Sequence, residues 1–256
     1  LDYSFSFYDK QGVALSDALA QAPVADPIRI CEVWTTTTDR LRPRHLDLLA
    51  DDERTKADRY RRREDRDRSV LAAALLRLVA ARWLTGADTP DDEAARAVRV
   101  VRTCAECGGP HGKPSVGADL HISVSHAGAV VVVAVSRMAA VGVDIEPLSR
   151  AAEASAALRV ARTPNASGLD PYGLDALRTW TRAEAVAKAT GTGLAVRPTG
   201  DAAAPPSCTY VDLDRPAGYV GALAVLTREP FRTVRRDGDE LSANAEPASI
   251  GRGWSS

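Results

Sequence analysis

The stretch AVGVDIEPL, residues 140–148, runs as an apolar strand into two carboxylates, Asp144 and Glu146. Side chains two apart on a strand point the same way, so the two acids share a face. Like charges side by side repel, and burial sharpens the repulsion unless a cation answers it. Taken alone, the pair reads as a strand end entering solvent. A third carboxylate changes that reading. In WTRAEAVAK (180–188), Glu184 and Lys188 stand at i and i+4 and share one helix face. Three carboxylates suit a hard oxygen site for Mg²⁺, or Mn²⁺ in its place, a cation that keeps waters and takes phosphate oxygens as its remaining ligands. A lysine beside such a cluster is what a bound phosphate needs. A surface ion pair between Glu184 and Lys188, worth little, has the same spacing.

Four other segments carry candidate chemistry. In GGPHGKP (108–114) the glycines allow close backbone approach, and Lys113 could aim its ammonium at a phosphate. It is not a P-loop, because Pro114 follows the lysine where Ser or Thr would be needed. In SVSHAG (123–128), His126 is expected at an exposed hairpin tip, just upstream of the acidic strand. RYRRREDRDR (59–68) packs six arginines among three acids. A solvated helix face explains most of it, and Arg68 stands closest to the apolar helix that follows. CAECGGPH (104–111) has zinc-like local spacing but only three ligands, Cys104, Cys107 and His111. A tetrahedral site would need Cys31, Cys208 or a distant His, so a thiol-rich turn leading into the GKP loop is the expected reading.

The elements that must position these residues alternate between α and β. IRICEVWTT (28–36) is a first strand. HLDLLADDERTKADRY (45–60) reads as a helix with a charged face. DRSVLAAALLRLVAARWLTG (67–86) reads as a stronger one, with Leu71, Leu75, Leu78, Val79 and Trp83 at helical spacing and Gly86 to stop it. AVRVVRT (97–103) is a short strand. Strands at 121–125, 127–136 and 140–146 follow so closely that they suggest an antiparallel meander. A helix over 172–191 and two strands, CTYVDLD and YVGALAVLT, complete an α+β fold. The expected organisation is a lead-in arm (1–27), two α/β halves (28–136 and 137–230) and a loose polar tail (231–256).

Composition narrows the classes. The chain has 256 residues, 45% apolar and 26% charged. Its 33 basic residues against 34 acidic ones leave no general footprint for nucleic acid. No apolar run approaches the roughly 18 residues of a membrane span. LDYSFSFYDK at the start lacks the flank and run of a signal peptide. Four scattered cysteines make no disulfide framework, so a reducing cytoplasm is the expected location.

The order of the pieces is more specific than any one of them. Arg68, GKP, Ser125-His126, VGVDIE and the W-x-x-x-E-A-x-x-K of WTRAEAVAKATGTGL together resemble the Sfp-type 4′-phosphopantetheinyl transferases, over roughly residues 50–195. The resemblance implies a monomer of two similar α/β halves related by a pseudo-twofold axis, with the active site between them. It implies transfer of 4′-phosphopantetheine from coenzyme A to a serine of an apo acyl- or peptidyl-carrier protein, leaving the holo carrier and 3′,5′-ADP. Such carriers serve fatty-acid, polyketide and nonribosomal-peptide synthesis. Asp144, Glu146 and Glu184 would surround Mg²⁺, Glu184 would also take the serine proton, and Lys188 would touch the transferred phosphate. Lys113, Pro114, Ser125, His126 and Arg68 would hold the nucleotide end of coenzyme A.

Three positions depart from the family pattern. Ala183 stands where many relatives have Lys, with Arg182 the obvious substitute; Asp67 and Ala127 replace a frequent His and Ser. The segment 147–178 would help meet the carrier. A competing reading is a nucleic-acid or adaptor module built on residues 59–68 and a zinc knuckle at 104–111. It leaves Asp144, Glu146, Glu184 and Lys188 without a role.

Overall fold

The computed structural model describes residues 29–117, 119–160, 173–192, 207–213 and 216–241. The arm (1–27), residues 161–172 of the expected partner-docking segment and the tail after residue 241 lie outside the described residues. Among the described residues, two sheets and six α-helices make a mixed α+β fold. Strand β1 (Ile30–Thr37) leads into short helices α1 (Pro43–Asp47) and α2 (Asp51–Asp58), then the long α3 (Arg63–Thr85) and α4 (Asp92–Ala97). Next come β2 (His121–Ala127), β3 (Val130–Ser136), β4 (Val141–Pro147), α5 (Ala151–Val160) and α6 (Leu174–Thr190). Strands β5 (Thr209–Leu213), β6 (Tyr219–Val225) and β7 (Arg232–Asp237) close the order.

The first sheet runs β2-β3-β1-β7 and the second β4-β6-β5. Strand β3 is buried along its whole length because both its faces are covered. Val131, Val133 and Val135 pack with Leu75, Leu78 and Trp34 under α3. Val130, Val132 and Ala134 face the other way, into a core shared with Val143, Ile145, Leu223 and Val225 of the second sheet. The far face of that sheet meets α6, where Ala222 and Ala224 pack on Ala185 and Ala189.

Four expectations change here. The meander stops after two strands: β4 leaves β3 and pairs antiparallel with β6. Its inward Val143 and Ile145 gain a full apolar partner there, and short spacing in sequence does not decide between neighbours. The helix expected over 45–60 breaks at Leu48–Ala50, where Ala50 is extended and its N–H donates to the Glu53 carboxylate at 3.1 Å. The strand expected at 97–103 reduces to a bridge between Val101 and Ser115. Val101 is exposed, so no sheet face rewards its extension. The polar tail begins with a strand instead, β7, which pairs parallel to β1. Its arginines fit an edge position with one solvated side, and Arg236 reaches the buried Glu32.

The joint between β4 and α6 positions the chemistry. A Cβ on Gly142 would lie 1.9 Å from the Ala185 carbonyl oxygen and 2.4 Å from the Ala189 nitrogen. Both are backbone atoms that cannot swing aside. Gly142 thus lets α6 lie directly on β4, and Asp144, two residues on, faces the same helix. Gly142→Ala is expected to lower the unfolding free energy by at least about 2 kcal/mol through overpacking, measured by urea denaturation. An unchanged midpoint would show that the helix can lift without loss.

Candidate functional site

The free edge of β4 faces the free edge of β2, and serine side chains join them in place of a ladder. The Ser123 hydroxyl accepts the Val143 N–H at 3.1 Å. Ser125 donates to Asp144 Oδ1 at 3.0 Å. From α6, Lys188 Nζ donates to Asp144 Oδ1 at 2.6 Å and to Ser125 Oγ at 2.9 Å. Three elements therefore meet on one carboxylate oxygen. Asp144 is buried, and its second oxygen, Oδ2, has no hydrogen-bond partner among the described residues. An orphaned buried carboxylate oxygen is costly and calls for a donor or a cation.

The other two acids press on the same place. Glu184 is pushed up to about 7, first by desolvation, then by the Asp144 charge, with Lys188 opposing. Glu146 is raised by desolvation and then by Asp144, while Arg150 draws it down. Arg150 Nη1 donates to Glu146 Oε1 at 2.7 Å. Sequence reasoning passed over Arg150, which ends the short 3-10 turn (Leu148–Arg150) that follows β4. The carboxylates interact but are not drawn tight. Among the described residues, the group of three or more metal-ligating side chains with all ligand atoms within 4.8 Å of one another is Cys104, Cys107 and His111.

The residues expected around a nucleotide divide between two places. Lys113 spans the joint, donating to the Val141 carbonyl at 2.9 Å and the Ala189 carbonyl at 2.7 Å. Desolvation by burial lowers its pKa to about 8. Lys113, Pro114 and Lys188 line one cleft of about 620 Å³, together with Cys104, His111 and Ser123. Arg68 and His126 lie outside that lining. Arg68 Nη1 donates to the Gly128 carbonyl at 2.8 Å, its other terminal nitrogen pairs with Asp65, and its buried Nε has no partner among the described residues. His126 is exposed at the end of β2, its pKa lowered by partial desolvation and then by Arg68.

No protein-family model matches the chain, and no curated protein matches it in sequence. The site stands on its geometry.

Two residues with expected roles have partners of their own. Ser125, expected at the nucleotide, is held between Lys188 and Asp144. Arg182, expected to stand in for the lysine absent at Ala183, is committed elsewhere: it forks onto Asp212 of β5, with Nε at 2.8 Å, and lies over the Tyr210 ring. A larger cleft of about 940 Å³, lined by Thr35, Arg40, Arg235 and Asp239 among others, contains none of the sequence-predicted site residues. Among the described residues, no helix is long and apolar enough to cross a membrane.

Proposed function

We propose that the protein transfers 4′-phosphopantetheine from coenzyme A to a carrier-protein serine, in the manner of the Sfp-type transferases it resembles. The observation that carries this reading is the convergence of Asp144, Glu146, Glu184 and Lys188 at the β4–α6 joint, with one buried Asp144 oxygen lacking a partner among the described residues. That orphan and the two raised carboxyls suit a divalent cation held by Asp144, Glu146 and Glu184. When bound, Mg²⁺ would neutralise diphosphate charge and orient it.

The rest of the chemistry falls to the chain. Phosphoryl transfer depends on positioning and charge neutralisation more than on covalent help. Lys188 carries its ammonium from the metal-site aspartate to the cleft wall, where it would meet the phosphate being transferred. Glu184, poised near neutrality, would accept the proton of the incoming serine hydroxyl. Lys113 and Pro114 would line the path of the nucleotide, and by the same resemblance Arg68, Ser125 and His126 would complete its binding site. Two sheets, each with a long helix on its outer face, fit a pseudo-twofold pair of halves acting as a monomer. A cytoplasmic location, with access to coenzyme A and apo carriers, goes with this reading.

The nucleic-acid reading has less to draw on. In the arginine-rich segment Arg63 pairs with Asp67 and Arg68 with Asp65, and Arg66 pairs with Asp58 just before it, so half of its six arginines are answered by neighbouring acids. The deciding experiment incubates the protein with coenzyme A, Mg²⁺ and several apo acyl- and peptidyl-carrier proteins. Mass spectrometry is expected to show one phosphopantetheine added to at least one of them. No mass gain on any carrier would end the proposal.

A further inference from the structure

The loop before Lys113 is built around sulfur and nitrogen donors that the transfer chemistry leaves unused. Cys104, Cys107 and His111 bring three ligand atoms within 4.8 Å of one another, and Cys107 Sγ lies 3.0 Å from His111 Nε2. Donors around a tetrahedral Zn²⁺ stand about 3.5–3.8 Å apart, so small side-chain rotations would close the set. Neither Cys31, buried in β1, nor Cys208, beside β5, belongs to it.

The backbone holds the three together. The Cys104 N–H donates to the Gly109 carbonyl at 2.8 Å, and the Gly108 N–H donates back to the Cys104 carbonyl at 2.9 Å. Gly108 takes φ +72°, the left-handed conformation that lets the chain turn sharply after the second cysteine. Gly112 donates to the Arg102 carbonyl at 2.9 Å, and a Cβ there would sit 2.2 Å from the Thr103 oxygen. The knuckle is thus folded back on itself although residues 101–115 contribute nothing to the buried apolar core. A loop with so little core has few other sources of order.

We infer that Cys104, Cys107 and His111 bind one Zn²⁺ as two thiolates and an imidazole, with water in the fourth position. The soft-donor set favours zinc over Mg²⁺, which separates this site from the carboxylate cluster. Cys107 and His111 are exposed, so solvent can reach the fourth position. Binding releases the two thiol protons and closes the loop covalently at its neck. Cys104 and His111 line the same cleft as Lys113 and Lys188, so the ion would fix the wall from which Lys113 reaches across to α6. The site does not depend on the transferase reading.

The test is metal analysis of untagged protein purified in reductant, followed by Co²⁺ titration of the stripped chain. One zinc per chain is expected, and cobalt should give a thiolate-to-metal charge-transfer band with intense visible bands of tetrahedral type. Cys104→Ser and Cys107→Ser should each weaken binding by at least about 100-fold, and Cys208→Ser should leave it unchanged. Chelation should speed protease cleavage within 101–115. Absence of zinc together with a cobalt spectrum lacking the thiolate band would overturn the site. So would equal metal loss in Cys208→Ser, or a Cys104–Cys107 disulfide that persists in reductant.

Discussion

Glu184→Gln is expected to lower carrier loading by about 10²–10⁴-fold, the range of a lost general base, with the fold intact. The substitution keeps the side chain's shape and removes its ability to hold a proton. Glu184 lies on the helix face that carries Lys188, and that face is seated on β4 by the contact at Gly142. A fall in turnover with little change in the KM for coenzyme A would mark a residue that acts on the incoming hydroxyl. Unchanged turnover would remove Glu184 as the base, whatever became of the carboxylate cluster.

The same variant should be more stable than the parent above neutral pH. Glu184 titrates at about 7 in the folded chain, above its ordinary 4.5, because burial and Asp144 disfavour its charge. Between those two values the folded state holds a proton that the unfolded state has released. Its favourable contribution is therefore present at low pH and is lost as pH rises through about 4.5 to 7. Gln cannot ionise, so the variant avoids this loss. The group is only partly buried, so solvent screening holds the gain at pH 8 to about 1–2 kcal/mol, well below the full linkage value. Below pH 4.5 the two proteins should unfold alike. Denaturation midpoints at pH 4, 6 and 8 would follow this, and a constant difference across them would mean that Glu184 feels no such repulsion.

The legible part of the protein was what local chemistry writes directly. Helix α3 showed in the spacing of Leu71, Leu75 and Leu78, and its end in Gly86, which caps it at φ +75°. The shared face of Asp144 and Glu146 followed from strand period alone. Partner choice was not legible. Whether β4 pairs with β3 or β6 depends on which apolar face covers Val143 and Ile145, and that is a property of the assembled core. For the same reason β7 hid behind its arginines, since an edge strand needs no alternating apolar pattern. Long-range polar partners were equally hidden: Arg182 could be placed one residue from Ala183, but not opposite Asp212. Gly142 went unread as a site-forming residue because its significance lies in the helix that touches it.

Addition of Mg²⁺ at pH 7.5 is expected to stabilise the protein in a saturable way, by about 2.7 kcal/mol when the ion exceeds its Kd 100-fold. The basis is the electrostatic state of the β4–α6 joint without a cation. Asp144 has one oxygen shared by Lys188 and Ser125 and the other without a partner among the described residues; Glu146 leans on Arg150; Glu184 is pushed toward its protonated form. One lysine and one arginine do not balance three acids in a partly buried space. Any cation bound preferentially to the folded chain relieves that repulsion and adds its binding energy to stability. Two further results should accompany the shift in Tm. The Glu184 carboxyl, followed by NMR, should titrate below 7 with Mg²⁺ present, because an added positive charge favours the carboxylate. Asp144→Asn should abolish most of the Mg²⁺ effect, and should by itself lower the Glu184 pKa by removing a like charge. Sodium chloride at matched ionic strength supplies the control, since screening alone weakens repulsion without saturating. If Mg²⁺ and sodium act alike, the three carboxylates are a solvated acidic edge, and the cation that their arrangement calls for is Lys188 alone.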